Sequence, residues 1–168
     1  FAKAITNGYM PLGGVLIKEE IAEVLLGGGG EFAHGLTYSG HPASCAAGLA
    51  TLNILMETQI IEKAAVQIAP HFQARLAELK NHPIVGEVRG KGMFAAVELV
   101  KDKISRERLA KGSAGAIYCR DRANANGLMV RQTGDAMIMA PPLICSISEI
   151  DILVEKLEIA LDETAKFF

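Results

Sequence analysis

With 168 residues, half of them hydrophobic and 21% charged, the chain has enough apolar material for a packed core and too much for a disordered segment. Its 17 basic and 19 acidic side chains leave a net charge of −2, without the basic excess that a nucleic acid or an anionic membrane surface selects. No apolar run approaches the ~20 residues of a membrane span, no charged-then-apolar signal pattern opens the chain, and three scattered cysteines (Cys45, Cys119, Cys145) form neither a CxxC pair nor an even disulfide set.

Those cysteines read as buried free thiols in a reducing, cytoplasmic setting. In chain order, Phe1-Ala2-Lys3-Ala4-Ile5 is an apolar run without an initiator methionine, as in a chain whose beginning lies elsewhere. Lys3 falls in a segment predicted to be buried, ahead of a turn at Thr6-Asn7-Gly8. A desolvated ammonium gives up its proton readily, and the free amine then serves as nucleophile or base, as Schiff-base chemistry needs. On these residues alone, a lone lysine near a chain end is more often a solvated residue. Val15-Leu16-Ile17 reads as a short buried strand after Gly13-Gly14, and residues 19–26 as a helix with Ile21, Leu25 and Leu26 along it. Gly27 to Gly30 stop that helix. No Lys-Ser/Thr follows them, so they form a flexible connector and not a phosphate cradle.

Residues 31–42, punctuated by Gly35, Gly40 and Pro42, are predicted to be an ordered loop. Residues 43–56 carry helical spacing, with Gly48 marking a close helix contact. A second helical pattern runs from Ile60 through Ala64, Ala65, Ile68, Phe72, Leu76 and Leu79. Pro70 kinks or restarts it, and Asn81-His82-Pro83 ends it. The remainder reads as a small α+β unit. Segments 84–89 and 93–100 form a hairpin across Arg89-Gly90-Lys91-Gly92. Ser113 is placed to cap a helix to Asn126, with Gly127 as its terminating glycine. A second hairpin joins 128–131 to 136–139 across Gln132-Thr133-Gly134-Asp135. Ser146 and Glu149 make a capping box for a final helix striped by Ile150, Leu153, Val154, Leu157 and Leu161.

Several constellations fail on context. Gly90-Lys91-Gly92-Met93-Phe94-Ala95 has the form G-x-G-x-x-A, but a strand follows it where a dinucleotide site needs a helix. His34, His41 and Cys45 lie near one another with no further ligand at metal-site spacing, so no metal is expected. No G-x-S-x-G elbow marks a serine nucleophile.

Two further segments carry a resemblance. Phe1-Ala2-Lys3-Ala4-Ile5-Thr6-Asn7-Gly8-Tyr9-Met10-Pro11-Leu12-Gly13-Gly14 resembles the cofactor-lysine segment of class III, pyridoxal-phosphate-dependent aminotransferases, and His34-Gly35-Leu36-Thr37-Tyr38-Ser39-Gly40-His41-Pro42 resembles their next signature. Arg89-Gly90-Lys91-Gly92-Met93 and Gly127-Leu128-Met129-Val130-Arg131 resemble their small-domain hairpins, in the right order. The Thr-Tyr-Ser-Gly-His-Pro form and Met-Ala-Pro-Pro-Leu look most like the ω-aminotransferase branch, which pairs amines or diamines with pyruvate.

The resemblance implies an α/β chain of the fold-type I pyridoxal-phosphate transferases. Residues 1–56 would end the cofactor-binding large domain, 57–83 would be a linking helix, and 84–168 the small C-terminal α+β domain. Lys3 would form the Schiff base with pyridoxal 5′-phosphate and then move the proton of the reacting carbon. Thr37 would give its hydroxyl to the cofactor phosphate from the neighbouring subunit of a homodimer, where its residue-level alternative is a loop-capping hydroxyl. Arg131 would grip the carboxylate of the keto or amino acid as a planar bidentate donor, against the alternative of a surface arginine at a hairpin end. Tyr38 and Ser39 would line the site, and Arg89 would be structural. The family's ring-pairing acid, ring-stacking aromatic and phosphate cup belong to a segment before Lys3, so the chain is expected to be the C-terminal part of a longer enzyme and inactive alone. The alternatives are a class III aminomutase, separated by keto-acid dependence of turnover, and a non-catalytic dimerisation or binding module.

Overall fold

A computed structural model describes residues 1–28 and 32–168 as two compact units, Phe1–Gln59 and Ile60–Phe168. Gly29, Gly30 and Glu31, part of the expected connector and loop, lie outside the described residues.

The first unit opens with a 3-10 turn, Lys3–Thr6, closed by Asn7 in the left-handed region (φ 49°, ψ 31°). Buried Thr6 donates its hydroxyl to the Met10 carbonyl at 2.5 Å, and the Asn7 and Tyr9 amides bond back to Ala4 and Thr6. The strand expected at Val15-Leu16-Ile17 does not form. Residues 11–18 have no regular structure, and Val15 and Leu16 are 85% and 88% exposed. A strand exists only through a partner's backbone groups, and no strand is present among the described residues of this unit.

Helix α1 (Glu19–Leu26) has the predicted bounds, with Glu19 and Glu20 in its first turn, where the helix dipole favours anions. Helix α2 (Pro42–Thr58) starts on Pro42, whose missing amide costs nothing in a first turn, and stops at Gln59 in the left-handed region (φ 51°). Gly48 is buried on α2. A Cβ there would lie 2.8 Å from Leu12 Cδ2 and 3.8 Å from the Ile5 carbonyl oxygen. The close contact predicted at Gly48 is therefore made to the segment that carries Lys3.

In the second unit, α3 (Ile60–Lys63) and α4 (Ala69–Glu78) are joined by a π-helical turn, Ala64–Ile68. Pro70 explains it: the ring has no amide to offer the Val66 carbonyl and crowds it, and a wider turn ending in Ala69 N–H to Ala64 C=O relieves the crowding. Strands β1 (Val85–Lys91), β2 (Phe94–Leu99), β3 (Arg131–Thr133) and β4 (Ala136–Met139) form an antiparallel sheet of order β1-β2-β4-β3. Both hairpin turns are tighter than the four-residue loops expected at 89–92 and 132–135. Lys91 pairs with Phe94 across Gly92-Met93, and Thr133 pairs with Ala136 across Gly134-Asp135. In each, glycine takes the first turn position at positive φ (61° and 58°), and the strands run up to it. The second hairpin's first strand also begins at Arg131, three residues later than expected.

Helix α5 (Ala114–Ala125) ends as predicted, with Gly127 at φ 78° and Leu128 N–H bonded to the Ala123 carbonyl in a Schellman arrangement. Its start differs. Ser113 occupies the cap position, but its oxygen caps nothing and instead accepts from Arg108 at 2.9 Å. Ser113 sits at φ 62°, outside the extended region from which a cap oxygen reaches the first-turn amides. Helix α6 (Ile147–Phe167) has the full Ser146/Glu149 capping box.

Strand alternation separates the sheet's two faces. Ala95, Val97, Leu99, Met137 and Met139 point into the core with Phe72, Leu76, Cys119, Val154, Leu157 and Leu161. The other face is open and carries two registered rows: Glu87, Glu98, Ala136 and Thr133, then Arg89, Ala96, Ile138 and Arg131. Of the three thiols expected to be buried, only Cys119 is; Cys45 and Cys145 are half-buried, since each lies near a helix start where packing is one-sided.

Candidate functional site

In the first unit, Lys3 lies in the left-handed region at φ 54°, a conformation that costs a non-glycine residue about 1 kcal/mol or more. The turn that imposes it is held by the Thr6 hydroxyl and by the pairing of Gly14 N–H with the Phe1 carbonyl at 2.9 Å. The predicted burial of this segment is not found: Lys3 is exposed, and Phe1 is 59% exposed. With no strand at residues 15–17, no sheet forms among the described residues of this unit to cover it. The turn nonetheless presents the Lys3 amine on a braced backbone.

Thr37 begins a turn over residues 37–40. Ser39 supplies that turn's side-chain bond, accepting from Leu36 N–H at 3.2 Å, and among the described residues the Thr37 hydroxyl makes no hydrogen bond. Tyr38 is exposed, its ring centroid 6.1 Å from that of His41. The turn leads straight into α2, and α2 packs on Ile5 and Leu12 through Gly48. One helix thus organises both the Lys3 segment and the Thr37 turn. Among the described residues no group of three or more His, Cys, Asp or Glu side chains is placed to hold a metal ion.

In the second unit, Arg131 opens β3 opposite Ile138 on the open sheet face. It lines a cleft of about 730 Å³ with Phe94, Met129, Thr133, Ile138 and Pro141 among the walls, and it is the cleft's one charged residue. The other arginines that form ion pairs show the contrast. Arg89 binds Glu98 at 2.5 Å and Glu87 at 3.3 Å, bridging two acids that face each other across β1 and β2. Arg75, Arg108, Arg120 and Arg122 likewise each hold a carboxylate. Arg131 forms no ion pair among the described residues. Cys145 at the cleft wall adds no anion, because burial and the neighbouring Glu149 raise its thiol pKa. An unpaired guanidinium on an apolar wall is a receptor for an anion carried on a hydrocarbon body.

These donors fit pyridoxal phosphate in kind: a primary amine on a strained, exposed turn for the carbonyl, and a hydroxyl left out of its own turn's bonding for the phosphate. Thr133, on the Arg131 side of β3, escaped the sequence reading, although the i, i+2 alternation of a strand was the signal that would have found it.

A family model described as aminotransferase class-III matches residues 1–161. The putrescine–pyruvate aminotransferase of Pseudomonas aeruginosa is 50% identical over 164 residues, which are 98% of this chain and 36% of that protein. A thermostable (S)-enantioselective omega-transaminase from Thermomicrobium roseum superposes with a TM-score of 0.91 at 43% identity, covering 98% of this chain and 36% of that one. The PMP-bound form of an aminotransferase from Vibrio fluvialis gives 0.91 at 32% identity, covering 98% and 37%. The chain therefore spans about a third of the length of these relatives.

Proposed function

The chain belongs to the class III aminotransferases, and on that footing we propose that it is the C-terminal part of an enzyme moving an amino group from an amine or amino acid to a keto acid, pyruvate in particular, with pyridoxal 5′-phosphate as cofactor. Its fold is the fold-type I transferase fold. Residues 1–56 are assigned to the end of the large cofactor domain, 57–83 to the linking helix and 84–168 to the small domain. The observation that carries the reading is a family match running unbroken from before Lys3 to beyond Arg131.

Pyridoxal phosphate supplies the electron sink that makes the reacting carbon acidic. Lys3 would hold the cofactor through its amine and would move the proton at the reacting carbon. Thr37 would donate its hydroxyl to the phosphate, across the interface of a homodimer. Tyr38, beside it, lines the site. Arg131 donates two parallel N–H bonds to the substrate carboxylate, and the apolar cleft wall takes the hydrocarbon body attached to it. Three unpaired thiols fit a reducing, cytoplasmic location. The 168 residues alone are inactive on this reading.

Borohydride reduction of the full-length protein with pyridoxal phosphate, followed by peptide mapping, is expected to give one phosphopyridoxyl adduct, on Lys3. Lys3→Ala should abolish that adduct and lower turnover by about 10²–10⁴-fold, the usual contribution of a proton-transferring group. Scattered adducts, or full turnover by the variant, overturn the assignment.

A further inference from the structure

The sheet register places a second polar group in the Arg131 cleft. Arg131 and Thr133 are two residues apart on β3, pair with Ile138 and Ala136, and share the open face. Gln132 between them points the other way, and its amide donates to the Gly134 carbonyl at 2.5 Å. Among the cleft-lining side chains only Arg131, Thr133 and Cys145 are not hydrocarbon or thioether, and the thiol is held protonated. No hydrogen bond within the described residues engages the Thr133 hydroxyl.

Its position is rigid for a surface residue. Thr133 is the last residue before the two-residue Gly134-Asp135 turn, and that turn is fixed twice: Asp135 accepts from Arg108 at 2.5 Å through its carboxylate and from Leu99 N–H at 2.9 Å through its carbonyl. A hydroxyl on a braced turn loses little freedom on meeting a ligand.

We propose that Thr133 is the second polar contact of the carboxylate subsite centred on Arg131, and so a specificity-determining residue for substrates that carry a carboxylate. The hydroxyl donates to one carboxylate oxygen while the guanidinium donates to the anion, and the apolar wall of Phe94, Met129 and Ile138 takes the hydrocarbon body. A substrate without a carboxylate gains nothing from either group. This inference rests on the carboxylate role assigned to Arg131 above.

The test uses the full-length holoenzyme with pyruvate as acceptor and a carboxylate-free primary amine as donor, comparing wild type, Thr133→Val, Thr133→Ser and Arg131→Gln. Valine keeps the shape and suits an edge strand, so the variant retains the fold. Thr133→Val should raise the ratio of pyruvate KM to amine KM about five- to tenfold, the size of one hydrogen bond to a charged group in a wet site. Thr133→Ser should restore the ratio. If Arg131→Gln raises the ratio and Thr133→Val does not, or if Thr133→Val raises both KM values alike, the role of Thr133 is overturned and that of Arg131 stands. If Arg131→Gln leaves the ratio unchanged, or wild type does not turn over pyruvate, the carboxylate site itself has failed and Thr133 with it.

Discussion

At Gly90 the backbone of β1 comes so close to β2 that a Cβ would sit 2.5 Å from the Phe94 carbonyl oxygen and 2.8 Å from Ala95 Cα. Neither atom belongs to a side chain that can swing aside. Gly90→Ala must therefore part the two strands, and a loss of about 1–3 kcal/mol, typical of overpacking, is expected as a lower urea midpoint. The same contact accounts for the glycine pattern around residue 90 without any nucleotide. Nearby, Arg89 reconciles Glu87 and Glu98, which face each other on paired strands and would otherwise repel. Arg131 sits on the same registered row with no acid to satisfy. Two arginines of similar sequence surroundings thus have different uses, set by which carboxylates the register brings beside them.

Among the elements, α4 and α6 are linked by Asp151, which accepts from His71 Nε2 at 2.8 Å and from Arg75 Nε at 2.9 Å. The hydrogen bond from His71, followed by that from Arg75, holds the Asp151 carboxyl below its ordinary value. Glu163, held by Arg122 and Asn126, and Glu149, held by the Ser146 amide and hydroxyl, are displaced the same way. In each case the unfolded chain binds the proton more tightly than the folded one. The stabilisation is present above the ordinary carboxylate pKa of about 4 and is lost as pH falls through the lowered folded value. Urea midpoints measured from about pH 6 down to pH 3 should fall, and Asp151→Asn should make that acid limb shallower. An equally steep limb in the variant would remove Asp151 from the account.

Across the whole molecule the two units differ in what they bury. The second has a contiguous core of fully buried side chains, including Phe72, Leu76, Val97, Met137, Ile150, Leu157 and Leu161. In the first, the buried residues among those described are Thr6, Ser44 and Gly48, none a large apolar side chain, while Tyr9, Val15, Leu16, Leu26 and Leu36 are each at least 75% exposed. Local stability follows buried apolar area. In the isolated 168-residue chain, backbone amides of residues 1–28 and 32–59 are expected to exchange within seconds to minutes, and those of β2, β4 and α6 to be protected orders of magnitude longer. In the full-length protein the first unit should gain protection wherever Val15, Leu16, Leu26 and Leu36 become covered. Equal protection of both units in the isolated chain would contradict this division.

The features written in local chemistry came through intact. The α6 capping box, the Schellman glycine at 127, the bounds of α1 and the proline-induced break before residue 70 each depend on residues within about one helical turn, so the sequence already contains every atom involved. The motif around Lys3 and Thr37 was legible for a different reason: it resembles the class III aminotransferases, and the family model matches residues 1–161. What failed is non-local. Val15-Leu16-Ile17 has the composition of a buried strand, yet a strand is made by its neighbours, and none is supplied within this unit. Ser113 has the right side chain for a cap, but its left-handed backbone and the demand of Arg108 turned it elsewhere. The cleft was invisible for the same reason. Thr133 faces the same way as Arg131 by the local alternation of strand β3, but that Arg131 stands without an acid follows from strand order β1-β2-β4-β3 and its register, set by hydrogen bonds between residues far apart in the chain.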